Sequence, residues 1–262
     1  MFKTALAALG NAWEMLLDPA CPGKLSKHID NADPELLSEF TIYAFPILGF
    51  VLGLCAVMVG RLTSMLPNAM AGAVLFTLIC LIGLEYFTSG RSVGAMASFV
   101  ELRFEGLQTH EALLRSKPEF NAVSTPAGIL TMIATLLIKA VCFFVLYQKS
   151  QTIIIAGAIM LSYTAQATLG ALPLMSTGEP VLTGTETMFK RLWLIAAILL
   201  IIVFISAPYS ALAGLICCGL LVWLFRNICA KDFDGMIHVR IIGIAGALIE
   251  LAVLFAGFLL LR

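Results

Sequence analysis

Seven stretches of this chain are so continuously apolar that each reads as a crossing of a lipid bilayer rather than as part of a water-soluble core. About 20 mainly apolar residues bridge the hydrocarbon of a bilayer. Residues 41–60, 67–87, 127–148, 152–175, 191–206, 208–225 and 241–261 meet that length or approach it. Across 262 residues 60% are apolar and 12% charged, whereas soluble domains carry nearer ~25% charged residues. A soluble fold could not hide so much apolar surface from water. The expected fold is all-α, a polytopic transmembrane bundle of about seven spans, because a lipid-exposed backbone must satisfy its own hydrogen bonds. Pro208, which can open a helix but not continue one, separates the fifth span from the sixth. Were 191–225 one long tilted helix instead, the C-terminus would change sides.

The 16 basic and 16 acidic residues cancel, which leaves no basic excess for nucleic acid. Their placement is more informative. With seven spans, twelve Lys and Arg fall on one side, only Arg61, Lys149 and Arg262 on the other, and Lys139 within a span. The positive-inside rule then puts the N-terminus in the cytoplasm and the C-terminus outside, in a cell inner membrane. Residues 1–40 form a cytoplasmic N-terminal segment. Within it Phe2, Leu6, Leu9, Trp13, Leu16 and Leu17 follow helical spacing, predicting an amphipathic helix in the membrane interface. Trp13 and Glu14 interrupt the apolar run that a cleaved signal peptide would need. Segments 88–126, 176–190 and 226–240 share the cytoplasmic side, and residues 92–106 are expected to form an amphipathic helix along the membrane. No internal repeat or accessory soluble domain is visible, so 1–262 reads as a single integral-membrane domain. The seven cysteines show no C-x-x-C or Cys/His spacing, which speaks against structural zinc and a disulfide framework.

Four stretches together resemble one known family. Phe45-Pro46-Ile47-Leu48-Gly49 through Gly53 is close to a membrane entry of the form FP-x-x-G-x-x-x-G. The second span reaches Gly83 and leads into the long loop. The segment Asn121 to Gly128 is similar to D-S-R-x-G-x-x-G, followed by an intramembrane Lys139, and Gly246 to Leu251 is similar to a closing helix. The family is that of the cobalamin synthases, or adenosylcobinamide-GDP ribazoletransferases. The resemblance implies a phospho-group transferase that joins alpha-ribazole, or its phosphate, to adenosylcobinamide-GDP with release of GMP and with help from Mg²⁺. Such an attack by a ribose hydroxyl on a pyrophosphate phosphorus needs cations at the transferring group, commonly Mg²⁺ held by carboxylates.

The carboxylates are where the chain departs from the family. The acidic motif after the second span reads roughly G-G-x-H-x-D-G-x-x-D-x-x-D; counted from Gly83, its His position holds Tyr86 and its Asp positions hold Thr88, Ser92 and Ala95. The Asp of D-S-R is Asn121, and the Asp of a late G-G-x-T-G-D-x-L-G is Gly243. Substitute metal ligands are Glu85 at the end of the second span, and Asp232 and Asp234 in Lys231-Asp232-Phe233-Asp234-Gly235. Glu101 and Glu105 read as the solvated face of the interfacial helix. Lys139, mid-span, costs about 3 kcal/mol by insertion scales and requires a partner. Glu250 lies within ~5 Å of its depth at 1.5 Å per residue, so a Lys139–Glu250 pair is expected. Gly49 and Gly53 form a small-residue face for close helix packing. The function assigned by default is that of the family, an active ribazoletransferase; the alternatives are a catalytically degenerate paralogue that binds a corrinoid or lipid or serves as an assembly subunit, and an unrelated permease. A homo-oligomer and a larger membrane complex both fit.

Overall fold

A computed structural model describes residues 2–16, 34–88, 90–115, 123–174, 178, 180, 182 and 185–260. The described elements are helices: α1 (Phe2–Leu16), α2 (Pro34–Thr63), α3 (Ala69–Phe87), α4 (Arg91–Phe104), α5 (Thr109–Arg115), α6 (Pro126–Gln148), α7 (Ile153–Leu169), α8 (Glu186–Ser206), α9 (Pro208–Asp232) and α10 (Val239–Leu259). Among the described residues there is no strand, only isolated bridges such as Pro173 to Pro180. The molecule is an all-α polytopic membrane bundle. Six helices (α2, α3, α6, α8, α9 and α10) are long and apolar enough to cross a bilayer.

The fourth expected span is shorter than 152–175. Helix α7 covers Ile153–Leu169, where Gly170 ends it, and the chain turns back through Pro173 so that Leu182 N–H reaches Gly170 O at 2.9 Å. At 17 residues α7 is about 25 Å long, less than a bilayer's ~30 Å core. The shortfall is tolerated because protein rather than lipid surrounds it: all but two of its residues are buried. Around it pack α2, α8, α9 and α10.

Close approach of α2 to α7 depends on missing side chains. A Cβ on Gly49 would stand 2.9 Å from Met160 Cα, and one on Gly53 would overlap the Ala156 backbone. On the opposite flank, Ser162 Oγ of α7 donates to Gly246 O of α10 at 2.9 Å, and Gln166 lies over the space a side chain at 246 would need. Helices α3 and α6 run antiparallel, with Phe76 stacked on Tyr147 at a centroid distance of 4.9 Å near one end. Ala207 has non-helical angles, φ −147° and ψ 70°, and separates α8 from α9; the 191–225 run is therefore two helices.

Two elements differ from their sequence-based expectation. Helix α1 does not merely present an apolar face to lipid. Its Ala7, Ala8 and Ala12 are buried and Asn11 Nδ2 donates to Thr41 Oγ1 of α2 at 3.2 Å, which docks it on the bundle. Helix α4, expected along the membrane surface over 92–106, packs against α6 and α10 through Val93, Gly94, Ala95, Ala97 and Ser98. Small residues at those positions let it nest, where an amphipathic surface helix would carry bulk.

Candidate functional site: an intramembrane charge cluster

The charges buried within the spans gather at one place. Lys139 Nζ on α6 donates to Glu85 Oε1 on α3 at 2.8 Å and to Glu250 Oε2 on α10 at 3.1 Å, with Glu250 Oε1 at 3.0 Å. Helix register explains how they meet: on antiparallel α3 and α6 the alignment that stacks Phe76 on Tyr147 also sets Glu85 level with Lys139. The Lys139 side chain is 4% exposed, against 14% for Glu85 and 13% for Glu250. Glu250 is the partner that depth counting selects. Glu85, considered from sequence as a metal ligand, is held by the same ammonium. Tyr163 of α7 stands in the field of both carboxylates; its hydroxyl is buried and has no protein hydrogen-bond partner.

The positions where the resemblance expects acids are neutral here, and the described ones are Thr88, Ser92, Ala95 and Gly243. Thr88 caps α3, its hydroxyl donating to Leu84 O at 3.0 Å. Ser92 opens α4 and Ala95 is buried one turn on. A Cβ on Gly243 would lie 3.5 Å from Ala95 Cβ, so two positions from motifs far apart in sequence do converge, but on an apolar contact between α4 and α10. Asn121 lies outside the described residues. Asp232 and Asp234 are exposed at the end of α9. Asp232 lines a cleft of about 400 Å³ with Arg103, Gln108, Thr109 and Phe233, while Asp234 occupies a turn at φ 51°. Among the described residues no three His, Cys, Asp or Glu side chains gather as a metal would require. Mg²⁺ demands near-octahedral oxygen coordination with charged ligands. A hydroxyl committed to a helix carbonyl, two apolar positions and a carboxylate bound to an ammonium do not supply it.

Glu101 departs furthest from its expected place on a solvated face. It is 6% exposed, and its Oε1 accepts from Ser124 N at 3.2 Å, Ser124 Oγ at 3.1 Å and Thr125 N at 2.9 Å. A carboxylate at a helix N-terminus meets unpaired N–H groups and the positive end of the helix dipole. Glu101 thus fastens α4 to the start of α6. Gly128 leaves room for it, since a Cβ there would sit 2.9 Å from Glu101 Oε2. The Glu101–Glu105 spacing on α4 gives no sign of this, because the donors at Ser124 and Thr125 lie 23 and 24 residues along the chain.

Fold and site together define a polytopic helical membrane protein in which, among the described residues, the charge buried within the spans is one Lys–carboxylate cluster. Over most of its length the chain is similar to two proteins named adenosylcobinamide-GDP ribazoletransferase. It is 28% identical over 251 residues to the protein of that name from Chlorobaculum parvum, an alignment covering 89% of this chain and 91% of that one. To the one from Chlorobaculum tepidum it is 29% identical over 222 residues, covering 83% and 82%. No family model matches the chain, and no solved structure matches it.

Proposed function

We propose that this chain is a cobalamin-synthase-like membrane protein that retains the family's bundle and a corrinoid-binding role but not the metal-dependent transfer. The observation that carries the reading is the juxtaposition of Ala95 and Gly243, close enough that a Cβ on Gly243 would lie 3.5 Å from Ala95 Cβ, apolar where the family resemblance calls for acids from two motifs. Positions that match the family's pattern, Gly49, Gly53, Gly128 and Gly246, seat one helix or side chain against another. Those that depart from it, Thr88, Ser92, Ala95 and Gly243, are the ones transfer chemistry would use. Among the described residues no clustered set of carboxylates offers a counter-charge for Mg²⁺, and without one developing negative charge on a transferring phosphoryl group would go unneutralised.

The test is binding of adenosylcobinamide-GDP to the full chain in liposomes, with and without Mg²⁺ and alpha-ribazole. The expected result is binding that Mg²⁺ does not alter and no release of GMP. Mg²⁺-dependent GMP release would instead assign the family reaction, with Asp232 and Asp234 as the acids to replace by Asn. Failure to bind any cobinamide derivative removes the corrinoid role.

A further inference from the structure

We infer that Glu85, Lys139 and Glu250, with the Tyr163 hydroxyl, form a binding site for one exchangeable proton. The argument begins with charge. Two carboxylates face one ammonium. If both are ionised, the cluster retains one uncompensated negative charge among buried helices, where an isolated ion is strongly disfavoured. The charges acting on Glu250 are Lys139 and Glu85, and those acting on Lys139 are Glu250 and Glu85. Neither set includes a second cation, and a single proton on one carboxylate oxygen makes the cluster neutral.

Tyr163 supplies an independent observation. Its hydroxyl comes from a fourth helix, is buried at 6% exposure, lacks a protein partner, and has Glu250 and Glu85 as its electrostatic neighbours. A phenol can donate to a carboxylate or accept from a carboxylic acid, so it suits both protonation states. From α2 the residue against its ring is Gly49, which contributes no charge. The route for exchange is the end of α3, because Glu85 lies in the last turn of that helix. Binding forms one O–H bond on a Glu oxygen and breaks none in the protein; release returns the proton to water. The inference is independent of the corrinoid reading.

The experiment is infrared difference spectroscopy on the full chain in liposomes, titrated from acid to alkaline pH in H₂O and D₂O. The expected signal is one deuterium-sensitive protonated-carboxyl stretch persisting to neutral pH. It disappears in both Glu85→Gln and Glu250→Gln, where the remaining carboxylate forms a neutral pair with Lys139, and it shifts in frequency in Tyr163→Phe. A wild-type protein without that stretch at neutral pH, its balance supplied by a monovalent cation or by none, overturns the proposal. So does a stretch unchanged in Tyr163→Phe, which removes one hydroxyl and decides the matter if the Glu variants do not fold.

Discussion

Lys139 and Glu101 each do locally what the loss of one partner would expose. Replacing Lys139 by Met leaves Glu85 and Glu250 facing each other without a cation, and breaking a buried pair in this way costs about 3–5 kcal/mol. Glu85→Gln or Glu250→Gln leaves one Lys–Glu pair intact and is expected to cost less than half as much. Thermal unfolding in a fixed detergent would rank the three; equal losses would mean the cluster acts only as a steric strut. Glu101→Ala removes acceptors from Ser124 N, Ser124 Oγ and Thr125 N, and buried donors left unpaired cost about 1–3 kcal/mol. The expected outcome is a lower melting temperature and faster amide exchange at the start of α6, with exchange in α8 unchanged.

At the level of elements, the central contact is α2 on α7. Gly53→Leu drives a side chain into the Ala156 backbone, which cannot yield as a flexible side chain could, so the folded yield should collapse. Gly83, with nothing near a Cβ, sits inside α3, where Ala is favoured over Gly by about 0.5–1 kcal/mol; Gly83→Ala should fold at least as well as the parent. Much of this level is legible in sequence. Apolar runs delimit six long helices, Pro208 marks the α8–α9 break, and the Gly49/Gly53 spacing names the packing face. The length of α7 is not legible, because an apolar run does not reveal whether protein or lipid covers it. Nor is the docking of α4, whose small residues look weakly amphipathic until α6 and α10 are in place. Glu85 was ambiguous for a similar reason: an acid near a helix end can reach water or lean inward, and only the antiparallel register of α3 and α6 decides.

For the whole molecule, the sequence is similar to two proteins named ribazoletransferase, while the site departs from the acidic pattern of the resemblance. The basic residues predict that the α2–α3 and α6–α7 connections face outward and the α7–α8 connection faces the cytoplasm. Cysteines introduced at Ser64 and Lys149 should react with an impermeant thiol reagent on intact cells, and one at Gly178 only after lysis; the reverse pattern would invert the bundle. The charge that remains inside serves to join α3, α6 and α10, whereas the acids that could attract a metal, Asp232 and Asp234, stand exposed beyond the end of the bundle. On the proposed reading the bundle persists without the transfer chemistry, since packing depends on glycines and one ion cluster, whereas the family resemblance assigns transfer to carboxylates. The most direct measurement is GMP release from adenosylcobinamide-GDP and alpha-ribazole in Mg²⁺, run on this chain beside its Chlorobaculum parvum relative in the same liposomes. The account predicts no GMP above background from this chain while the relative turns over; Mg²⁺-dependent release at a comparable rate would contradict it.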